Sequence, residues 1–255
     1  MSDNLQPRGS DDASFAQPLY TPIKRRSFFM YAGATAGATA LVLAGCSKDS
    51  DPVSNNNLVN VGATGANDVG VLNYAYALEQ LEAAFYTQLK TGSYYTSLPA
   101  GSAEKQILDD LQYHEVAHRE FFKAALGPNA IKALEPDFSG IDFTARTTTT
   151  AATGGKLGVL DAAKAFEDLG VSAYNGAGKF IQTPANLVLA GKIVSVEARH
   201  ASIIRDLVAE ATFVDSDVVN IGTNGLEKSK SPADVVATAN KFLKDGSKLN
   251  VSGLV

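Results

Sequence analysis

The stretch "LQYHEVAHREFF", residues 111–122, contains the literal pattern H-E-x-x-H at His114-Glu115-Val116-Ala117-His118. Two histidines one helical turn apart, with a glutamate beside the first, form a helix-borne zinc site in which the glutamate is the general base. A shorter motif lies inside the same letters: Glu115-x-x-His118 places one carboxylate and one imidazole on a single helix face. The extended zinc-protease pattern needs Gly at 121 and His at 124, where this chain has Phe121 and Ala124. Further along, "VEARHASII" (196–204) aligns with "HEVAHREFF" (114–122). Glu197-x-x-His200 keeps the glutamate and the second histidine, while Val196 stands where His114 does. The repeated pair is therefore Glu115 and His118. A zinc protease is excluded, and His114 is expected to stand beside the functional face as a bystander.

The repeat reaches further. "LEQLEAAFY" (78–86) aligns with "FEDLGVSAY" (166–174), so Glu79 and Tyr86 match Glu167 and Tyr174. Helical periodicity predicts four long segments, at about 68–90, 103–126, 157–181 and 183–211. Gly127-Pro128 closes the second, and Thr183-Pro184 opens the fourth as N-cap and first helical residue. A seven-residue frame puts Leu72, Ala75, Glu79, Glu82, Tyr86 and Leu89 of the first segment inside. The second contributes Leu108, Leu111, Glu115, His118, Phe122 and Ala125. The third contributes Leu160, Ala163, Glu167, Gly170, Tyr174 and Ala177; the fourth, Ala190, Ile193, Glu197, His200, Ile204 and Leu207. Each stripe is apolar at its ends and polar in the middle.

Five glutamates and two histidines thus share one interior layer. A buried, unpaired carboxylate costs several kcal/mol, against a net domain stability of about 5–15 kcal/mol. Bare charges cannot persist there, and two histidines do not balance five glutamates. Metal ions do. One lone glutamate from each of two helices and E-x-x-H from each of the other two is the ligand set of a di-iron or di-manganese carboxylate bundle.

Residues 67 to about 212 resemble the ferritin-like superfamily, and within it exported ferritin-like domain proteins of the desiccation-related type. The resemblance implies an all-α four-helix bundle with a long crossover, here 127–156, between helices 2 and 3. It implies two Fe or Mn ions, with Glu79 and Glu167 as the lone glutamates. Glu115 and Glu197 would bridge the metals, and His118 and His200 would each cap one. Tyr86 and Tyr174 occupy positions from which a tyrosine hydrogen-bonds near such a site. Glu82 departs from the symmetric pattern, its counterpart being Gly170: it is either a fifth carboxylate ligand or a neighbour of the ligands. Gly170 is expected to leave space for a small molecule such as O2 or peroxide. The resemblance also leaves open whether the centre reduces O2 or peroxide, oxidises Fe(II), or is the structural or vestigial layer of a non-catalytic envelope or stress protein.

The remaining chain speaks to location. Arg25-Arg26-Ser27-Phe28-Phe29 precedes a Gly- and Ala-rich apolar stretch ending in Leu43-Ala44-Gly45-Cys46, which resembles a twin-arginine export signal with a lipoprotein cleavage site. Residues 1–45 are expected as signal and 46–66 as a flexible tether, with Cys46 lipidated. Cys46 is the single cysteine, so disulfides and cysteine metal sites are excluded. The domain would then sit in the cell envelope, held at a membrane by its anchor. A net charge of −5 gives no basic footprint for nucleic acid. Residues 213–255 are expected as an extension carrying a short helix N-capped by Ser231. Oligomeric state is not legible.

Overall fold

The computed structural model describes residues 58–62, 68–149 and 154–254. The expected signal and the lipidation candidate Cys46 lie outside the described residues. The described residues form six α-helices: α1 (Asp68–Leu89), α2 (Ser93–Ser97), α3 (Ala103–Leu126), α4 (Val159–Ala177), α5 (Pro184–Val208) and α6 (Pro232–Ala239). The four long ones are the four predicted from periodicity. α1 packs most extensively on α3, and α4 on α5, with α1 and α4 as the main contact between the two pairs. Among the described residues no helix is long and apolar enough to cross a membrane.

Local chemistry sets the ends of these helices. Ser102 caps α3 by accepting from the Lys105 amide, and Gly127 ends it at φ +52, a left-handed turn that favours glycine. Thr183 does cap α5, with Pro184 following, yet its side chain accepts no capping bond. Asp68, at the start of α1, does that work from a distance. Its carboxylate accepts from the Gln182 amide at 2.7 Å, the Thr183 amide at 3.0 Å and Asn186 Nδ2 at 2.7 Å. One buried acid thereby locks the α1 and α5 N-termini together.

α1 is buried nearly all round, as a central helix must be when it is apolar on every side. Its polar members have specific partners. Asn73 donates to the Asn129 carbonyl and accepts from the Ile131 amide, and Gln80 accepts from the Leu134 amide. These two side chains dock the crossover onto α1. Phe138 and Phe143 of the crossover then pack against Phe85. The crossover ends in a parallel pairing of β2 (Ile141–Asp142) with β3 (Leu157–Gly158) that leads into α4.

The chain beyond α5 belongs to the same core. Arg205, 1% exposed, donates to Asp168 at 2.6 Å, to Asp217 and to the Thr212 carbonyl, strapping the following loop to α4. The strap lies so close at Gly176 that a Cβ there would stand 1.7 Å from the Lys230 carbonyl oxygen. α6 buries Val235, Val236 and Ala239 in the core shared with α4. Strand β4 (Leu249–Asn250) pairs in parallel with β1 (Val59–Asn60). β1 falls within the span expected as tether, and Val59 and Val61 are buried. The folded body thus reaches back to residue 58, because apolar residues there complete the wall over α1.

Candidate metal centre

The polar layer assembles midway along the bundle, where each long helix brings its glutamate inward. Glu79, Glu115 and Glu167 are 0% exposed, and Glu197 is 1% exposed. His118 Nδ1 lies 2.7 Å from Glu197 Oε1 and 3.5 Å from Glu79 Oε2. His200 Nδ1 lies 2.8 Å from Glu115 Oε1, 3.0 Å from Glu197 Oε2 and 3.5 Å from Glu167 Oε2. The six residues form two overlapping groups: Glu79, Glu115, His118 and Glu197, and Glu115, Glu167, Glu197 and His200. Within each group the potential ligand atoms lie within 4.8 Å of one another. Glu115 and Glu197 belong to both groups.

Hydrogen bonding does not satisfy this cluster. Glu79 Oε2, both Glu115 oxygens, Glu167 Oε2, Glu197 Oε1 and His118 Nδ1 are buried with no hydrogen-bond partner. The 2.7 Å approach of His118 to Glu197 has the distance of a hydrogen bond without its alignment. At His200, one ring nitrogen faces three carboxylates, and a single N–H cannot serve them all. Buried polar atoms are otherwise almost always paired. Orphaned oxygens and imidazole nitrogens converging in overlapping groups fit divalent cations of the O/N-binding kind.

The electrostatics agree. Burial, and then the charge of Glu197, hold Glu115 far above the usual carboxylate range, although the His200 contact opposes them. Burial raises Glu167 against the pull of His200. Burial and the neighbouring glutamates, Glu115 foremost, hold Glu82 well up. Glu197 runs the other way: burial pushes it up, but contacts with His118 and His200 outweigh this and bring it to about 2. Burial pushes His118 down, yet Glu197 and Glu79 carry it to about 11. His200 rises further still against its burial, drawn by Glu167 and Glu115. Without a cation, the layer approaches neutrality only by holding protons.

The tyrosines cross between halves. Tyr86 donates to Glu167 Oε1 at 2.5 Å and Tyr174 to Glu79 Oε1 at 2.5 Å, so each holds the lone glutamate of the other half. This reciprocity makes α1 and α4 antiparallel. Both hydroxyls are pushed well above the usual phenol range, first by burial and then by the glutamate each contacts.

Two expectations need correction. Gly170 does not leave open space, because Glu82 Oε1 lies 2.9 Å from where a Cβ at 170 would stand. Glu82 fills that gap beside the layer and belongs to neither four-residue group. His114 is not a bystander either. Its Nδ1 lies 2.9 Å from His200 Nε2, with the rings stacked at 5.1 Å between centroids and 18° between planes. A His200 that ligates through Nδ1 would carry its proton on Nε2 and donate it to His114 Nδ1. The i, i+4 spacing of His114 and His118 carried this signal, and Val196 in the repeat concealed it. His114 breaks the two-fold symmetry of the site, since Val196 stands at its repeat-related position.

No curated protein matches this chain. The family model for the ferritin-like domain matches residues 67–210, more than half of the chain and the whole of the four-helix layer just described. The chain belongs to the ferritin-like domain family.

Proposed function

We propose that this protein is a dinuclear iron or manganese carboxylate protein that reacts with O2 or peroxide, or oxidises Fe(II). The observation that supports this is the pair of overlapping ligand groups sharing Glu115 and Glu197. In this reading Glu79 and His118 would hold one metal, Glu167 and His200 the other, and Glu115 and Glu197 would be shared between them. When bound, two such ions would give electrons to O2 or peroxide and regain them from Fe(II) or from a second molecule of peroxide. The chain's own groups prepare the site. The Tyr86 and Tyr174 hydroxyls hold one oxygen of Glu167 and of Glu79, leaving the other oxygen of each free to ligate. His114 would accept the Nε2–H of His200 and so turn the Nδ1 of His200 towards the metals. Glu82 stands beside the layer, its carboxyl pushed above the usual range by burial and its acidic neighbours.

The twin arginines and Leu43-Ala44-Gly45-Cys46 support export and lipid anchoring at Cys46, with the domain facing away from the cytoplasm. Metal analysis of natively purified protein, followed by peroxide-consumption and Fe(II)-oxidation assays, tests the reading. We expect bound Fe or Mn together with turnover in one assay. Full loading without turnover of O2, peroxide or Fe(II) would assign the layer a structural role. Membrane association that persists in a Cys46→Ala variant would remove the lipid anchor from the proposal.

A further inference from the structure

A cavity of about 210 Å³ lies between the four long helices, on one side of the glutamate layer. Its origin is visible in the repeat. Ala125, Ala177 and Ala190 line it, and their repeat-related residues across the layer are Leu207, Leu89 and Leu108. Three isobutyl groups that close one end of the bundle are methyls at the other. Exchanges also run in the opposite sense, among them Phe122 for Ile204 and Tyr74 for Ala162, and the cavity persists beside them.

The walls are almost wholly apolar, and cavities lined in this way take up apolar molecules. An engineered cavity of about 150 Å³ accommodates benzene, so this one is large enough for a substituted ring or a short hydrocarbon chain. Two side chains on the wall are informative. Tyr74 is 1% exposed, and its hydroxyl has no hydrogen-bond partner. Tyr174 lines the cavity and donates to Glu79, so a molecule inside touches a residue that touches the site. Its counterpart Tyr86 is 0% exposed, whereas Tyr174 retains exposed surface. Ala185 is exposed, and Leu189 and Ala190 are half-buried, which puts the mouth along the first turns of α5.

We propose that this cavity binds a small, uncharged molecule with a hydrocarbon body, held against Tyr174 on the Glu79 side of the layer. Binding stands independently of the metal; its meaning as the substrate class of the site rests on the function proposed above. Fluorobenzene titrated with metal-stripped protein and followed by ¹⁹F NMR tests the binding. We expect a saturable shift, weakened by at least about tenfold in Ala125→Leu, Ala177→Leu and Ala190→Leu, since even single methylenes count in a filled pocket. Circular dichroism verifies folding of each variant, and because the three come from different helices, any one that folds gives the reading. No saturable shift, or equal binding in the filled variants, overturns the proposal. In protein verified to hold Mn(II), paramagnetic broadening of the bound fluorine signal is expected, and intact binding without broadening overturns the placement beside the site. Protein that takes up no Mn(II) yet binds fluorobenzene would sink the metal reading and leave the cavity assignment standing.

Discussion

On one side of the glutamate layer Leu89, Leu108 and Leu207 close the bundle; on the other, Ala177, Ala190 and Ala125 occupy the repeat-related positions and leave a cavity. Both ends descend from the same heptad positions and flank the same ligands. The closed end holds the layer in place: Leu89 is 1% exposed and Leu108 is 0% exposed. The open end gives up that packing for space. The glutamate layer thus has a closely packed floor and a hollow ceiling.

The largest effect should come from the layer that both ends share. Glu197→Ala removes the carboxylate that faces both His118 and His200. Removing one partner from a buried charge cluster costs about 3–5 kcal/mol, and we expect urea unfolding to show a loss of that size together with loss of bound metal. A loss below about 1 kcal/mol would mean the layer is not electrostatically coupled.

Next is the pH response of metal-stripped protein. His118 sits at about 11 when folded against an ordinary 6.5, so the folded state keeps a proton that the unfolded chain releases. Its contribution to stability is complete below about 6.5 and is lost as pH rises towards about 11. The raised Glu115 and Glu167 act in the same sense from 4.5 upward. Glu197 opposes them only in the window from 4.5 down to about 2. Tm should therefore fall from pH 6.5 to 11, and Mn(II) should reverse the fall because its binding replaces protons. A Tm that climbs with pH over that range would contradict the protonated layer.

Leu108→Ala hollows the closed end in the image of the open one. Leucine-to-alanine changes in packed cores cost about 2–5 kcal/mol, and urea unfolding should place this variant in that range. A smaller expected effect sits at the site's asymmetric edge. His114→Val copies the repeat and should weaken metal binding by roughly 10–100-fold, the usual consequence of losing the partner that orients a ligating histidine. Isothermal titration with Mn(II) reads it, and unchanged affinity would return His114 to the role of bystander. Smallest is the converse packing change: Ala190→Leu should stabilise by about 0.5–2 kcal/mol. Destabilisation there would mean that the cavity is not free to be filled.

The helices were legible because their stripes repeat and their ends carry Gly127-Pro128 and Thr183-Pro184. The six clustered residues were legible because burial makes glutamates conspicuous wherever periodicity turns them inward. What stayed hidden depends on pairing across long separations. Asp68 caps α5 from 114 residues away or more, and Asn73 and Gln80 dock the crossover, yet each reads as an ordinary polar residue within its own helix. β1 was hidden because two residues that pair only with the far end of the chain carry no local period. Glu82 and Gly170 read as two separate anomalies, whereas one side chain fills the space that the other lacks. The cavity was hidden for a plainer reason: alanine satisfies an apolar pattern as well as leucine does, and only volume tells them apart.

The most direct test of the dinuclear site is the metal-to-protein ratio after reconstitution with Fe(II) or Mn(II) and desalting, measured by inductively coupled plasma mass spectrometry on wild type and on Glu115→Ala. Two overlapping ligand groups predict two ions per chain, and fewer when the shared Glu115 is removed. Less than one ion per chain, or a ratio that Glu115→Ala leaves unchanged, would contradict it.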